Sequence, residues 1–129
     1  MSNHQRVQPR RGEIWFVRMP SDPSDKSARP VVVVSLDARN CHPRASTVLV
    51  VPLSTTLRGL DTHIRLEPGE TGLVETSEAQ AENITTVRKE SLAPSRSRLR
   101  AISATRLRQI ARCVVLAMGL LPGELSGAR

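Results

Sequence analysis

The segment RPVVVVS, from Arg29 to Ser35, is the most informative stretch of the sequence. Its four consecutive valines form a short, β-branched, apolar run, which is typical of a strand buried on both faces near the centre of a sheet. A buried helix is the alternative, but Pro30 at the start and the shortness of the run favour a strand. We therefore predict a small sheet whose central strand ends near Leu36.

Arg29, at the entrance of this strand, is the first candidate for chemistry. The proline that follows it restricts its backbone to an extended conformation. A guanidinium on a rigid strand end is a preorganised phosphate ligand, because it stays charged and presents a planar fork of donors. The alternative is a solvated arginine that only caps the strand.

The bulk composition predicts a single basic domain with a polyanionic partner. The chain has 129 residues, a formal net charge of +7 and a sequence pI of about 11.2. That length suits one core, and that charge favours nucleic acid or an acidic protein as the partner. Trp15 and Phe16 are the only aromatic residues, which argues against a broad base-stacking platform.

The cysteines and the hydropathy predict a soluble, cytoplasmic protein with neither a metal nor a cofactor. Cys41 and Cys113 lie in different contexts, so a disulfide framework or a four-ligand zinc site is not expected. His42 beside Cys41 does not change this, because no second cluster completes a ligand set. No apolar run approaches the ~20 residues that span a bilayer, and residues 1–11 contain no apolar signal-peptide core.

The sequence divides into a disordered basic tail over residues 1–11, a β-rich domain over 12–121 and a flexible tail over 122–129. Within the domain, the patterns predict strands over 12–18, 30–36, 47–53, 61–67 and, as a basic edge strand, 96–102. The segment 77–87 fits either a helix or a strand, and its period-two alternation favours a strand. A loop over 19–28, a turn over 68–70 and single helical turns over 37–44 and 89–92 connect these elements.

Two elements carry predictions about individual side chains. In the segment 61–67, Ile64 and Leu66 should face the core, which leaves His63 and Arg65 together on the opposite face. Ser103 is a good N-cap for a final helix that ends before Gly119. Its apolar positions follow the helical period, at Leu107, Ile110, Ala111, Val114, Val115 and Met118.

Five short motifs also follow one another along the chain. They are RGEIW at 11–15, RPVVVVS at 29–35, VVPLSTT at 50–56, QAENITTVRKESL at 80–92 and ISAT at 102–105. In this order the set resembles the MazF/PemK/Kid family of toxin endoribonucleases over residues 11–121. The resemblance implies a mainly β fold with a C-terminal helix, namely an SH3-like small β-barrel that forms a homodimer.

The same resemblance implies the function. Members of this family are metal-independent endoribonucleases that cleave single-stranded RNA and need no cofactor. They arrest growth until a cognate antitoxin inhibits them by placing its own acidic segment along their basic groove. The family's catalytic positions fall on Arg29 and Ser54, where serine replaces the more usual threonine. The glutamate that many members carry in the loop before the ArgPro motif is missing, and Asp22 or Asp25 is its nearest substitute.

The residues that follow the third strand are candidate RNA ligands. Hydroxyl groups at a strand end can donate to phosphate oxygens, although a local turn is the alternative for such a sequence. His63 has a suitable intrinsic pKa for a general base, but a solvated strand histidine is the competing interpretation. The candidate RNA-binding residues are Thr55, Thr56, Arg58, His63 and Arg65.

Two other functions compete with RNA cleavage. One is a non-catalytic poison of DNA gyrase that resembles CcdB, which shares the fold but acts mainly through its C-terminal helix. The other is a barrel that binds nucleic acid without cutting it. The ArgPro and LeuSerThr strand ends favour the ribonuclease, because a gyrase poison does not need them.

Overall fold

Seven antiparallel strands and three helices make up the described part of the chain. The computed structural model describes residues 8–20, 22–23, 27–94, 101–121 and 123–124. The strands are β1 (Ile14–Val17), β2 (Arg29–Val33), β3 (Thr47–Ser54), β4 (His63–Leu66), β5 (Ser77–Gln80), β6 (Thr85–Arg88) and β7 (Ala93–Pro94). The helices are α1 (Asp37–Asn40), α2 (Pro68–Thr71) and α3 (Ala104–Ala117), and 3₁₀ turns cover Ala81–Asn83 and Lys89–Ser91.

Strand β3 organises the sheet, whose order is β4-β5-β3-β2-β1-β7. One edge of β3 pairs with β2. The other edge is divided, since its first half pairs with β6 and its last two residues pair with β5. A strand that belongs to two parts of a sheet lets the sheet turn a corner, and this division gives the fold its barrel-like bend.

The prediction that the valine run is buried on both faces is confirmed for three of its four valines. Val34 is half-buried, and the strand ends at Val33 instead of near Leu36. Val31, Val32 and Val33 are all fully buried, and they alternate between two apolar clusters. Val32 joins the cluster that includes Ile110 of α3, whereas Val31 and Val33 join a cluster on the other face with Trp15. Side chains of a strand alternate between faces, so β2 contributes side chains to both clusters. Packing on both faces fixes the position of the strand.

Helix α3 begins where the sequence predicts and buries a narrower stripe than expected. The Ser103 hydroxyl accepts the backbone N–H of Arg106 at 3.1 Å, and Gly119 follows the helix with a φ of +91°, as expected of a C-terminal glycine. The buried positions are Leu107, Ile110 and Cys113. Ala111 and Met118, which were predicted on the apolar stripe, are exposed.

Three segments differ from the sequence-based predictions. Residues 77–87 are not one strand, because the 3₁₀ turn Ala81–Asn83 separates β5 from β6. The turn at 68–70 is the short helix α2, which a capping box between Glu67 and Glu70 stabilises. Residues 8–11, expected in the tail, make contacts: Pro9 is fully buried, and the Arg11 N–H donates to Asp37 at 2.7 Å.

Other predictions fall largely outside the described residues. Most of the basic edge strand over 96–102 lies there, and so do residues 1–7, 122 and 125–129 of the predicted tails. Ala101, at the end of that segment, forms an isolated antiparallel bridge with Glu13. Across the described ranges, no helix has the length and apolar character needed to cross a membrane.

Candidate active site

The pairing of β2 with β3 brings the two predicted catalytic residues together. Val31 pairs with Pro52 in the antiparallel register, and the same register continued by two residues sets Arg29 opposite Ser54. Directly opposite residues of an antiparallel pair point to the same face of the sheet. Arg29 opens β2 and Ser54 closes β3, so both side chains lie at one end of the two central strands.

Both residues line a cleft with a volume of about 320 Å³, which we call the Arg29–Ser54 cleft. The lining also includes Thr55 and Thr56, which follow Ser54, and the three residues Leu73, Val74 and Glu75. Val74 is almost fully exposed. The cleft therefore combines a cation, five hydroxyl-bearing residues, a carboxylate and apolar side chains, which suits an RNA backbone with a base beside it.

The Arg29 guanidinium is partly buried and already has an anionic neighbour. Its Nε lies 3.7 Å from Oδ2 of Asp22, and the two side chains are 18% and 14% exposed. That Asp22 oxygen is buried and makes no hydrogen bond within the described residues. Of the two aspartates named as substitutes for the missing loop glutamate, Asp22 therefore lies beside the guanidinium, and Asp25 lies outside the described residues.

The Ser54 hydroxyl stands at the start of a local turn. Its Oγ accepts the backbone N–H of Thr56 at 3.1 Å, so the alternative of a serine–threonine turn is correct as a description of the local structure. The hydroxyl hydrogen is free to point elsewhere, since an acceptor role leaves the O–H donor available. Turn formation and phosphate contact are therefore compatible for Ser54, while Thr55 and Thr56 are exposed.

Sequence reasoning missed Glu78, a buried carboxylate directly beside this turn. Glu78 pairs with Ser54 in the β3–β5 register, and its side chain is only 3% exposed. Its oxygens accept the backbone N–H groups of Arg58 at 2.8 Å and Gly59 at 2.9 Å. Glu78 therefore fastens the loop that follows Ser54–Thr56 onto the sheet.

The prediction that His63 shares a solvated face with Arg65 is wrong. The His63 side chain is 1% exposed, and its Nδ1 and Nε2 lie 2.8 Å from carboxylate oxygens of Glu78 and Glu82, respectively. The chain from Leu60 to Thr62 turns tightly into β4, with the His63 N–H donating to the Leu60 carbonyl. His63 is therefore enclosed by its own loop, and both of its ring nitrogens are already engaged by carboxylates.

The three side chains form a carboxylate–imidazolium–carboxylate bridge. A neutral imidazole has one N–H, so donation to two carboxylates requires the charged ring. Burial by itself would lower the pKa of His63, but the hydrogen bonds and charges of Glu82 and Glu78 outweigh it and raise that pKa. The Arg58 N–H, His63 and the Gly59 N–H outweigh burial at Glu78 and lower its pKa from 4.5 to about 2.

The remaining two RNA-binding candidates lie away from the cleft. Arg58 contributes its backbone N–H to Glu78, and its residue as a whole is exposed. Arg65 is exposed on β4, where it lines a separate groove against α3. The structure thus groups Arg29, Ser54, Thr55 and Thr56, and it separates Arg65 from them.

We expect the contribution of His63 to stability to depend on pH. Its pKa is raised in the folded protein, so its stabilising effect is complete below the ordinary value of 6.5 and is lost as the pH rises through the folded-state pKa. His63→Gln should therefore cost most at pH 6 and progressively less towards pH 9. Urea unfolding of both proteins across this range tests the trend. A constant difference would show that folding leaves the pKa of His63 unchanged, and a difference that grows with pH would show that the folded protein holds the ring neutral.

The comparisons with known proteins agree with this geometry. The sequence model of one protein family, described as the PemK-like, MazF-like toxin of type II toxin–antitoxin systems, matches residues 10–118 of this chain. A Mycobacterium tuberculosis protein named "Probable endoribonuclease MazF5" is 36% identical over 110 residues, which are 85% of this chain and 93% of that protein.

Solved structures show the same relationship. One is an endoribonuclease in complex with its cognate antitoxin from a mycobacterial species, with 27% identity, a TM-score of 0.67 and coverage of 87% of this chain and 96% of that one. Another mycobacterial endoribonuclease has 27% identity, a TM-score of 0.66 and coverage of 89% and 94%. With the match to nearly the whole described domain, the chain belongs to the PemK-like, MazF-like toxin family of type II toxin–antitoxin systems.

Proposed function

We propose that this toxin endoribonuclease cleaves single-stranded RNA without a metal ion, through attack by the substrate's own 2′-OH. The 2′-oxygen bonds to the adjacent phosphorus, the bond to the 5′-oxygen breaks, and a 2′,3′-cyclic phosphate remains. The 2′-OH gives up its proton and the leaving oxygen gains one, so proton balance is kept. The observation that carries the proposal is the common cleft of Arg29 and Ser54.

Arg29 supplies positive charge to the phosphorane in this proposal. Its guanidinium can bind two phosphate oxygens at once and remains charged throughout. Asp22 holds the guanidinium at the cleft from the side of Nε. Ser54 donates a hydrogen bond to the same phosphate, and Thr55 and Thr56 extend this row of hydroxyl groups along the bound strand.

The assembly we propose is a cytoplasmic homodimer that a cognate acidic antitoxin inhibits. The last turn of α3 and the residues after it expose three large apolar side chains, Leu116, Met118 and Leu121, which are suited to burial between two copies. The net charge of +7 suits both RNA and an acidic protein. The solved mycobacterial relative was obtained with its cognate antitoxin, which supports a partner of this kind.

The test is incubation of the purified chain with a long single-stranded RNA in EDTA. We expect cleavage to fragments that end in a 2′,3′-cyclic phosphate and a 5′-OH. Ser54→Thr should cleave at nearly the wild-type rate, whereas Ser54→Ala should be about fivefold slower, because one neutral hydrogen bond is worth about 1 kcal/mol. RNA that stays intact in EDTA but is cut with Mg²⁺ would contradict the metal-free mechanism.

The two alternative functions are less well supported. The family match disfavours a gyrase poison of the CcdB kind. A gyrase poison would also have no use for a cleft that Arg29 and Ser54 line together. A barrel that only binds nucleic acid would retain RNA intact in the same incubation, with an affinity that falls as salt is raised.

A further inference from the structure

One loop that lines the Arg29–Ser54 cleft plays no part in the proposed cleavage step. It covers residues 73–76, between helix α2 and strand β5, and it brings Leu73, Val74 and Glu75 to the cleft. Strand β5 pairs with the end of β3, where Glu78 is the partner of Ser54. Glu75 thus precedes the partner of Ser54 by only three residues, and the loop stands beside the hydroxyl groups of the cleft.

Hydrogen bonds and packing hold this loop at both ends. At its start, the Leu73 N–H donates to the Thr71 hydroxyl at 3.0 Å, and the Leu73 side chain packs against the core. At its end, the Thr76 hydroxyl donates to Oε1 of Glu67 at 2.6 Å. Contacts that restrain a loop in this way preorganise the residues between them, so the two central residues are held at the cleft.

These two residues offer an apolar surface and a pair of acceptor atoms. Val74 is 94% exposed, and an apolar side chain exposed at a cleft in a nucleic-acid enzyme is suited to contact with a base. Glu75 is exposed too, and its carboxylate forms neither a hydrogen bond nor an ion pair with any other described residue. A nucleotide in the cleft can therefore place the face of its base against Val74 and the edge of that base at Glu75.

Glu75 also differs from the other polar groups of the cleft, because an ionised carboxylate can only accept hydrogen bonds. The hydroxyl groups that line the cleft both donate and accept, and Arg29 only donates. A carboxylate repels phosphate oxygens, so its partners in RNA are the 2′-OH and the N–H groups of the bases. The neighbouring Val74 favours a base, since an apolar side chain gains nothing beside a sugar hydroxyl.

The two carboxylate oxygens match one base better than the others. Guanine presents two adjacent donors, N1–H and N2–H, on its Watson–Crick edge. Adenine, cytosine and uracil each have a single donor position there, and it is flanked by an acceptor that a carboxylate repels. A free carboxylate with an apolar surface beside it therefore distinguishes guanine from the other three bases.

We propose that Glu75 selects a guanine beside the scissile phosphate. Its two oxygens accept N1–H and N2–H of the base, and the ring lies against Val74. Glu75 is then a specificity-determining residue, whereas Arg29 and Ser54 bind the phosphate. The placement of the guanine next to the cleaved bond rests on the proposed function, but the binding of guanine by this loop does not.

The experiment measures binding without cleavage, through the fluorescence anisotropy of labelled DNA oligonucleotides at constant salt. Each oligonucleotide is a run of thymidines with one central deoxyguanosine, deoxyinosine, deoxyadenosine or deoxycytidine, and none has the 2′-OH that cleavage requires. Inosine lacks only the N2 amino group of guanosine. We expect the wild type to bind the guanosine oligonucleotide roughly tenfold more tightly than the inosine one, because one hydrogen bond to a charged group is lost.

Two variants test whether Glu75 is the origin of this ratio. Glu75→Ala should bind the guanosine and inosine oligonucleotides equally. Asp61→Ala is the matched control and should keep the ratio, because Asp61 is another exposed carboxylate without a partner among the described residues and it does not line the cleft. Equal binding of the two oligonucleotides by the wild type would overturn the proposal. So would a ratio that survives in Glu75→Ala, and if that variant also lost RNA cleavage, the carboxylate would meet the 2′-OH instead of a base.

Cleavage of a long single-stranded RNA keeps this proposal apart from the nuclease mechanism. We expect a guanine next to each mapped cut, and we expect Glu75→Ala to cut at additional sites that lack it. A protein that cuts RNA without a guanine near its sites would refute guanine selection and leave the nuclease intact. A protein that prefers the guanosine oligonucleotide but leaves RNA whole would refute the nuclease and leave the guanine site intact.

Discussion

Replacing Arg29 with alanine is expected to slow RNA cleavage by about 10²–10³-fold, because it removes a preorganised donor from the developing charge on phosphorus. The loss should fall mainly on kcat, since the charge that Arg29 meets grows on the way to the transition state. Single-turnover cleavage of a saturating RNA, measured with and without the substitution, gives this ratio directly. Arg29→Lys should fall between the two, because an ammonium keeps the charge but loses the planar fork.

The controls for this prediction come from the same edge of the sheet. Arg18 follows β1 directly, is exposed and does not line the cleft, so Arg18→Ala should cleave at the wild-type rate. Removal of Arg29 also takes away the one cation that pairs with the buried Asp22 oxygen among the described residues, which costs stability. Arg29→Ala combined with Asp22→Asn should recover that stability without recovering cleavage. Unchanged cleavage by Arg29→Ala would remove the basis of the proposed mechanism.

The central strand could be predicted from the sequence because its signal is local. Four β-branched residues behind a proline are enough to indicate a buried strand, and the structure buries Val31, Val32 and Val33 completely. The placement of Arg29 opposite Ser54 could not be predicted in this way, because it depends on the register between β2 and β3. Register is not encoded in either strand alone, so only the family resemblance suggested the pairing.

His63 shows where alternation along a strand is insufficient. The pattern correctly orients Leu66 and Ile64 towards the core, and it puts His63 on the other face. A face is solvated only if nothing covers it, and the loop after Ser54 folds back over Glu78 and His63. The signal available in the sequence was the pair Glu78 and Glu82, four residues apart, within a segment otherwise suited to a strand.

The second large effect is expected at Glu78, where Glu78→Ala should lower the free energy of unfolding by about 3–5 kcal/mol. The substitution leaves His63 without one of its two carboxylates and leaves the N–H groups of Arg58 and Gly59 without their acceptor. Unsatisfied buried groups of this kind carry the full desolvation cost. Thermal unfolding should show a fall in Tm on the order of 10 °C or more.

Glu82→Ala is the matched control, because Glu82 binds the other nitrogen of the same imidazole. Its side chain is 34% exposed, so water can replace it, and the loss should be about 1 kcal/mol or less. Equal losses for the two substitutions would mean that Glu78 contributes only through the histidine. Glu78→Gln keeps the shape and one acceptor oxygen, and it should therefore lie between Glu78→Ala and the wild type.

The contribution of Glu78 to stability should disappear in acid. Its pKa is lowered to about 2 in the folded protein, so its contribution is present above pH 4.5 and is lost as the pH falls towards 2. The difference in the free energy of unfolding between the wild type and Glu78→Ala should shrink over that interval.

Because the same carboxylate binds the backbone of Arg58 and Gly59 behind Ser54–Thr56, Glu78→Ala should also weaken RNA binding at temperatures where the protein remains folded. A destabilised protein with unaltered KM would show that Glu78 serves the fold alone.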